Sequence, residues 1–358
     1  MKLSVVIPCL NERQTIKEAV LQCVDSLRKS GFEKFEVIVA DNGSTDGSQD
    51  IVRKIGKLSP IFLIEVPVLG YGAALHFGIL EAKYEYVLFA DADLSYSFKQ
   101  IALFKNRIPE DFDLVLGSRF KGEIMPGSMP FLHKYLGTPI LTFLIRTIYK
   151  IKTTDCNSGM RMVKKTFYEK INMKNSGMEW ASELLVKTAI NKGKYAEVPI
   201  RLDPDKRNRK PHLNSWIDGW RHLKVIVLLK PSIFLYLFLI SFVLGFILFF
   251  SSKNIHFLII FTFIGEFILF SYLALKKMEF AITKKCNLIS DLLNKLPLVG
   301  IGISLMTISF FSPFVFMGKY MEIKYLLLFE SLFYGIWLFF IETIKTHMIN
   351  LLPEKSLI

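Results

Sequence analysis

The chain is poor in cysteine. Cys9, Cys23, Cys156 and Cys286 are the four in 358 residues, none in a CxxC pair and none with histidines at zinc-binding spacing. Disulfide and zinc scaffolds are therefore poor readings, and reduced thiols are the simplest one. No GxGxxG turn follows the first apolar strand. Pro8-Cys-Leu-Asn-Glu12 stands there instead, which argues against hydride transfer from a dinucleotide. The lysine-bearing phosphate loop is also missing. No signal peptide precedes Leu3, so the first domain is expected in the cytosol. Neither a basic recognition helix nor an RNA-binding signature is visible. The net charge of +13 is accordingly read as attraction to anionic lipid headgroups rather than to nucleic acid.

What is abundant is apolar residue, and it is unevenly placed. Hydrophobic residues make up 51% of the chain, and the mean hydropathy is +0.36. Up to about Lys210 the pattern is ordinary α/β; beyond Lys230 it is mostly apolar. Segments at 232–250, 255–275, 298–317 and 325–344 approach the roughly 20 apolar residues that span a bilayer as helix. Lys276, Lys277, Lys284, Lys285 and Lys295 lie between the second and third spans. Arg207, Arg209, Lys210, Arg221, Lys224 and Lys230 precede the first. Both clusters belong in the cytoplasm by the positive-inside rule, which returns the C-terminus there too.

The first 230 residues alternate strand and helix. Strands are expected at 3–8, 35–40, 61–66 and 86–90, with helices at 12–28, 46–57 and 70–82 between them, which implies a parallel sheet. The fourth strand, Tyr86-Val-Leu-Phe-Ala-Asp91-Ala-Asp93, delivers two carboxylates to its carboxyl end. In an open α/β sheet ligands bind at that edge. Such a pair can hold a hard divalent cation together with a phosphate-bearing ligand, although a solvated Asp-rich turn has the same spelling. Gly70-Tyr-Gly72 is too short for a phosphate loop by itself and is equally a site of close helix–strand packing.

Taken in order, Val5-Val-Ile-Pro8 with Asn11-Glu12, Val39-Ala-Asp41-Asn-Gly-Ser-Thr-Asp46, Gly70-Tyr-Gly-Ala-Ala74 and Asp91-Ala-Asp93 resemble the GT-A glycosyltransferases of family 2. Gly117-Ser-Arg-Phe120, Asp155-Cys-Asn-Ser-Gly-Met-Arg161 and Gly177-Met-Glu-Trp-Ala-Ser-Glu183 narrow the resemblance to the dolichyl-phosphate mannose synthase and polyprenyl-phosphate glycosyltransferase branch. The expected fold is a Rossmann-like α/β GT-A domain over 1–212. An amphipathic juxtamembrane helix at 213–230 follows. The rest is a four-helix transmembrane bundle over 231–345, with an interfacial helix near 277–296, and a cytoplasmic tail at 346–358.

The resemblance implies roles. Pro8, Glu12, Asp41 and Gly72 would bind the nucleotide sugar, a UDP- or GDP-hexose. Asn42 stands where the family often has a second aspartate, which leaves the base open. Asp91 and Asp93 would hold Mg²⁺ or Mn²⁺ on the diphosphate; Ser95 replaces a glutamine that some relatives use as a further ligand. Arg119 would bind the phosphate of a polyprenyl-phosphate acceptor, with His133, Lys134, Arg207 and Arg209 as further acceptor contacts. Asp155 and Glu179 would lie near the sugar. Bland readings stand beside several of these. Asp46 is a helix cap, and His133 is equally a surface histidine. Glu179 and Glu183 could pair with Arg161 or Lys187. Asp203-Pro-Asp-Lys-Arg-Asn-Arg-Lys-Pro211 is equally a solvated linker or a mobile lid whose Arg207 and Arg209 reach donor or acceptor phosphates.

Trp216, Trp220, Leu223 and Val227 recur at helical spacing, as do Ile289, Leu292, Leu293 and Leu296. Such stripes suit a bilayer interface or packing on the catalytic domain. Glu266 and Glu330 fall inside expected spans and are read as packing groups, with Thr307 or Ser309 as partners, ahead of a transport role. The implied activity is inverting, metal-dependent transfer of one hexose, glucose or mannose first, to polyprenyl phosphate at the cytoplasmic face of the membrane, by a possible homo-oligomer. A polysaccharide synthase is disfavoured because Asp218-Gly-Trp-Arg-His222 does not match QxxRW. A lipid-flipping or scaffold protein that only senses nucleotide sugar is the remaining alternative.

Overall fold

The computed structural model describes residues 1–57, 60–207 and 215–230, with single positions between 236 and 251. The chain divides into two compact units at the Ile226/Val227 boundary. The first contains β1 (Lys2–Cys9), β2 (Lys34–Asp41), β3 (Ile61–Glu65) and β4 (Tyr86–Phe89). They are connected by α1 (Ile16–Lys29), α2 (Ser48–Gly56) and α3 (Tyr71–Glu81). After its first residue β1 is buried throughout, as a parallel strand covered on both faces must be. Leu3, Val5 and Ile7 share one core with Ile16, Val20 and Leu27 of α1. Val6 points to the other face, where a Cβ on Gly78 of α3 would lie 2.4 Å from its Cγ1, so that helix can approach only through glycine. The register sets Cys9 beside Asp41 and Val6 beside Phe89. Asp41 and the residues after Phe89 therefore emerge at one edge.

The second half of the sheet is not parallel throughout. It comprises α4 (Ile101–Lys105), β5 (Leu114–Ile124), α5 (Thr138–Tyr149), β6 (Arg161–Lys164), α6 (Lys165–Ile171), α7 (Trp180–Ile190) and β7 (Tyr195–Leu202). The sheet order is β3-β2-β1-β4-β6-β5-β7, and β6 runs antiparallel to both β4 and β5. The alternation that predicts a parallel sheet holds through β4 and stops there. β6 enters the sheet from the edge at which β4 and β5 leave it. Phe89 pairs with Arg161, so the residues preceding β6 lie beside the residues following β4. α7 closes the second face: Trp180 is fully buried and meets the Phe89 ring edge-on at 5.3 Å.

α8 (Ser215–Leu228) occupies the expected juxtamembrane position. Trp216 and Trp220 are exposed on it, whereas Asp218, His222, Val225 and Ile226 are buried. Among the described residues no helix is long and apolar enough to cross a membrane. The expected spans at 255–275, 298–317 and 325–344, most of 232–250, the helix near 277–296, Glu266, Glu330 and Arg209 all lie outside the described residues.

Candidate active site

Asp91 and Asp93 stand where β4 leaves the sheet, on the wall of a cavity of about 740 Å³. That volume suits a substrate-sized ligand. Asp91 Oδ1 accepts a hydrogen bond from the Tyr71 hydroxyl at 2.9 Å. On its other side, a Cβ on Gly159 would lie 2.4 Å from Asp91 Oδ2, so the strand-entry loop must be glycine to sit against the carboxylate. Burial, reinforced by the charge on Asp93, pushes the Asp91 carboxyl up to about 7. Asp93 is better satisfied: its Oδ1 accepts from the Ser95 amide at 2.9 Å and the Ser95 hydroxyl at 2.6 Å. Ser95 thus fixes the carboxylate from behind. Asp93 Oδ2 meets Arg207 Nη2 at 2.8 Å, and Arg207 Nη1 lies 3.4 Å from Glu12 Oε1. Among the described residues no three His, Cys, Asp or Glu side chains are gathered for a metal ion. The tip nevertheless fits a hard cation. Two carboxylates stand two residues apart on one cavity wall, burial raises the pKa of one of them, and a ligand's phosphates can complete the shell.

Of the expected donor residues, Pro8 and Glu12 line this cavity with Asn42, Gly70 and Tyr71. Asp41 is buried at the end of β2. Its Oδ2 accepts from the Gly43 and Ser44 amides and from Gln49 Nε2, while its buried Oδ1 has no partner among the described residues. Asn42 is tied to the backbone at both ends: Nδ2 donates to Val68 O at 2.7 Å, and Oδ1 accepts from Gly70 N at 2.6 Å. Gly72 is a packing residue, since a Cβ there would come within 2.5 Å of Trp180 Cβ. Asp46 holds the start of α2 by accepting from Ser48 N, and it also accepts from Arg13 N.

A second cation of the cavity, besides Arg207, is Arg119 of β5. Its Nε and Nη2 donate to the two oxygens of Asp155, both at 2.7 Å, and its own amide donates to Asp155 Oδ2. Arg119 is 9% exposed and Asp155 fully buried. Nη1 has no partner among the described residues and Arg119 lines the cavity, so the clamp leaves one end of the guanidinium for a ligand. Behind Asp155, Glu197 of β7 accepts from the Thr153 hydroxyl and from the amide and hydroxyl of Thr154. Asp155 is thereby committed to Arg119. His133, in a π-helical turn over His133–Gly137, pairs through Nε2 with the Ser215 hydroxyl of α8 at 2.8 Å. Burial and the nearby Arg119 charge pull its pKa down. Lys134 lies over the Tyr135 ring and does not line the cavity.

Arg161 and the Glu179–Glu183 pair also find their places. Arg161 is fully buried and donates to the carbonyls of Cys156, Ser158 and Ala181, which pins the strand-entry loop to α7. Glu183 pairs with Lys187 at 2.6 Å and accepts from the amides of Lys174 and Asn175. Glu179 precedes α7; among the described residues its buried Oε2 has no partner, and the residue is not on the cavity wall.

Residues 4–171 match the family "Glycosyl transferase family 2". Over that stretch the chain is similar to the family 2 glycosyltransferases. The low-salt glycan biosynthesis hexosyltransferase Agl6 of Haloferax volcanii is 34% identical over 64% of this chain and 54% of its own length. The dolichyl-phosphate beta-glucosyltransferase ALG5D of Trichomonas vaginalis is 26% identical over 55% of this chain and 64% of its own. The chain thus spans between half and two thirds of these relatives. A glucosyl-3-phosphoglycerate synthase from Mycobacterium tuberculosis, crystallised with Mn²⁺, UDP and glucosyl-3-phosphoglycerate, superposes with a TM-score of 0.46. Its identity is 19%, over 63% of this chain and 78% of its own.

Sequence reasoning about the glycosyltransferase domain passed over three cavity residues. Tyr71 lies inside the Gly70-Tyr-Gly72 motif, yet its bond to Asp91 has no sequence signal. Tyr96, whose hydroxyl accepts from the Gly159 amide at 2.9 Å, is equally silent. His222 reads as one of several polar residues on α8, but it lines the cavity with Nδ1 2.8 Å from the Ser182 hydroxyl. Its burial, helped by Arg161, lowers its pKa to about 4 despite the opposing pull of Asp218.

Proposed function

We propose that this glycosyltransferase domain transfers one hexosyl group from a UDP- or GDP-sugar to polyprenyl phosphate, with inversion, at the cytoplasmic face of a membrane. The observation that carries this reading is the delivery of Asp91, Asp93 and Arg119 from β4 and β5 to one cavity. An acidic tip at one place and a clamped guanidinium at another provide for two phosphate-bearing partners. The Haloferax and Trichomonas relatives, a hexosyltransferase and a dolichyl-phosphate glucosyltransferase by name, support a hexose and a lipid-phosphate acceptor.

On this reading the unpartnered Asp41 Oδ1 accepts from the base or ribose of the donor, as a buried carboxylate oxygen requires. Asp91 and Asp93 are the residues that would hold Mg²⁺ or Mn²⁺. When bound, that cation neutralises charge on the departing diphosphate. Arg119 places the acceptor phosphate, whose second pKa is about 6 by analogy with phosphoryl side chains. The phosphate oxyanion is already a nucleophile at neutral pH. It attacks the anomeric carbon as the bond from that carbon to the diphosphate oxygen breaks, so no protein base has to take a proton. Asp155 orients Arg119, and positioning with charge complementarity does most of the work.

The test is formation of lipid-linked sugar by the full chain with Mg²⁺ or Mn²⁺, a short polyprenyl phosphate and a panel of labelled UDP- and GDP-sugars. Labelled lipid from one donor, lost in Asp93→Asn, is the expected result. If every donor fails to give lipid product although nucleotide sugar still binds, the acceptor assignment is wrong.

A further inference from the structure

The acidic tip already has a cation. Arg207 Nη2 lies 2.8 Å from Asp93 Oδ2 and 3.1 Å from Asp205 Oδ2, and Nη1 lies 3.4 Å from Glu12 Oε1. Three carboxylates from three parts of the chain share one guanidinium. Asp93 Oδ2 is the oxygen that Ser95 leaves open, because both Ser95 bonds go to Oδ1. The oxygen best placed to receive a divalent cation is therefore the one Arg207 holds.

The backbone carrying Arg207 is fixed to the tip. Asp203 N donates to Ser95 O at 2.9 Å, Lys206 N donates to Asp93 O at 3.1 Å, and Tyr96 bridges Leu202. Lys206 Nζ anchors outward on Glu18 at 2.7 Å. A change at Asp93 can thus move the Arg207 side chain while its backbone stays in place. The resting pose is also incomplete. Arg207 Nε is buried and has no partner among the described residues, so charge holds this side chain rather than a full set of hydrogen bonds. A partly exposed guanidinium with an unused donor gains by moving to a ligand that offers more oxygens, and a diphosphate does so.

We propose that Arg207 is the resident counter-ion of the donor site: the divalent cation takes its place on Asp93, and the displaced guanidinium pairs with the donor diphosphate. The inference rests on the proposed cation site at Asp91 and Asp93. It assigns Arg207, which sequence reasoning set against acceptor phosphate or, as part of a lid, against donor or acceptor phosphates, to the donor side. It also fixes the sign of a coupling. Without nucleotide, metal must compete with Arg207 and binds weakly. With nucleotide, Arg207 has another partner and metal binds more tightly. By linkage, metal raises nucleotide affinity by the same factor.

The experiment measures Mn²⁺ binding to the full chain by the electron paramagnetic resonance signal of free Mn²⁺, with and without UDP or GDP. In Arg207→Gln, nucleotide-free Mn²⁺ binding should tighten roughly tenfold, and the gain on adding nucleotide should shrink by a similar factor. Arg207→Lys keeps the charge but cannot bridge Glu12 and Asp93 together, and should fall between. Thermal unfolding supplies the check on folding: Arg207→Gln should melt lower than wild type in chelator, and Mn²⁺ should narrow the gap. If wild type binds Mn²⁺ with nucleotide, Asp93→Asn does not, and Arg207→Gln leaves nucleotide-free affinity unchanged, this inference is overturned while the cation site stands. If wild type binds no Mn²⁺ even with nucleotide, the cation site itself is wrong, and the exchange falls with it.

Discussion

At the scale of single residues, the cavity is governed by who holds each charge. Arg119 offers a ligand only what Asp155 leaves it, and the pair is buried, so removing one partner leaves an unbalanced charge in a poor solvent. Asp155→Asn should therefore destabilise the chain by about 3 kcal/mol in chemical denaturation and weaken the acceptor's apparent affinity at least roughly tenfold. His222 behaves differently. Its folded pKa of about 4 lies below the ordinary 6.5, so the fold favours the neutral ring. The stability tied to that preference is complete above about pH 6.5 and is lost as pH falls toward 4, because the unfolded chain takes up the proton first. The amount is about 3 kcal/mol. Denaturation of His222→Gln across pH 4 to 7 should show a flatter acid limb than wild type; an unchanged limb would remove His222 from the account. Neither partner choice was legible in the sequence. Asp155 could be placed near Arg119 only through family motifs, and nothing in the spelling of α8 marks Ser182 of α7 as the imidazole's partner. Glu183, by contrast, was readable as an ion pair with Lys187, because four residues along a helix place the two side chains together.

At the scale of elements, the first four strands could be read directly. Each is a short apolar run, helix-length segments separate them, and the boundaries of β1 through β4 agree with that pattern to within about two residues. β6 could not be read. It has four residues, too few for a period to declare itself, and its direction depends on where its neighbours leave the sheet. Yet β6 is the strand that brings the loop before Arg161 against Asp91. Gly159→Ala tests that juxtaposition. The new Cβ would sit 2.4 Å from Asp91 Oδ2 and 3.0 Å from Tyr96 Cε2, so the carboxylate must rotate away. Turnover should drop roughly a hundredfold, as misplacement of a reacting group does. Tm should change by only a few degrees, because the loop can relax toward the cavity. A normal turnover number in this variant would show that Asp91 need not hold its observed rotamer.

At the scale of the whole molecule, the sequence turns mostly apolar beyond Lys230. α8 marks the transition. Its inner face supplies Ser215, Asp218 and His222 to the cavity, and its outer face carries Trp216 and Trp220, which are 79% and 65% exposed. Indole rings displayed this way suit a headgroup region, where one end is apolar and the other wet. With the full chain reconstituted in lipid, quenchers placed at headgroup depth should reduce tryptophan emission, and Trp216→Phe with Trp220→Phe should abolish most of that loss. Quenching that survives the double substitution would place the reporter elsewhere.

The antiparallel strand has one more consequence. Arg207 apart, residues that would handle the donor come from β1 through β4 and the turns after them, and those that would handle the acceptor come from β5 onward. The two sets meet along the single seam where Phe89 faces Arg161. A lineage could therefore retune which nucleotide sugar it accepts without disturbing which lipid it loads, or the reverse, provided that seam is left alone. Inherited variation should accumulate on either side of it under separate selection, with the seam itself as the shared constraint.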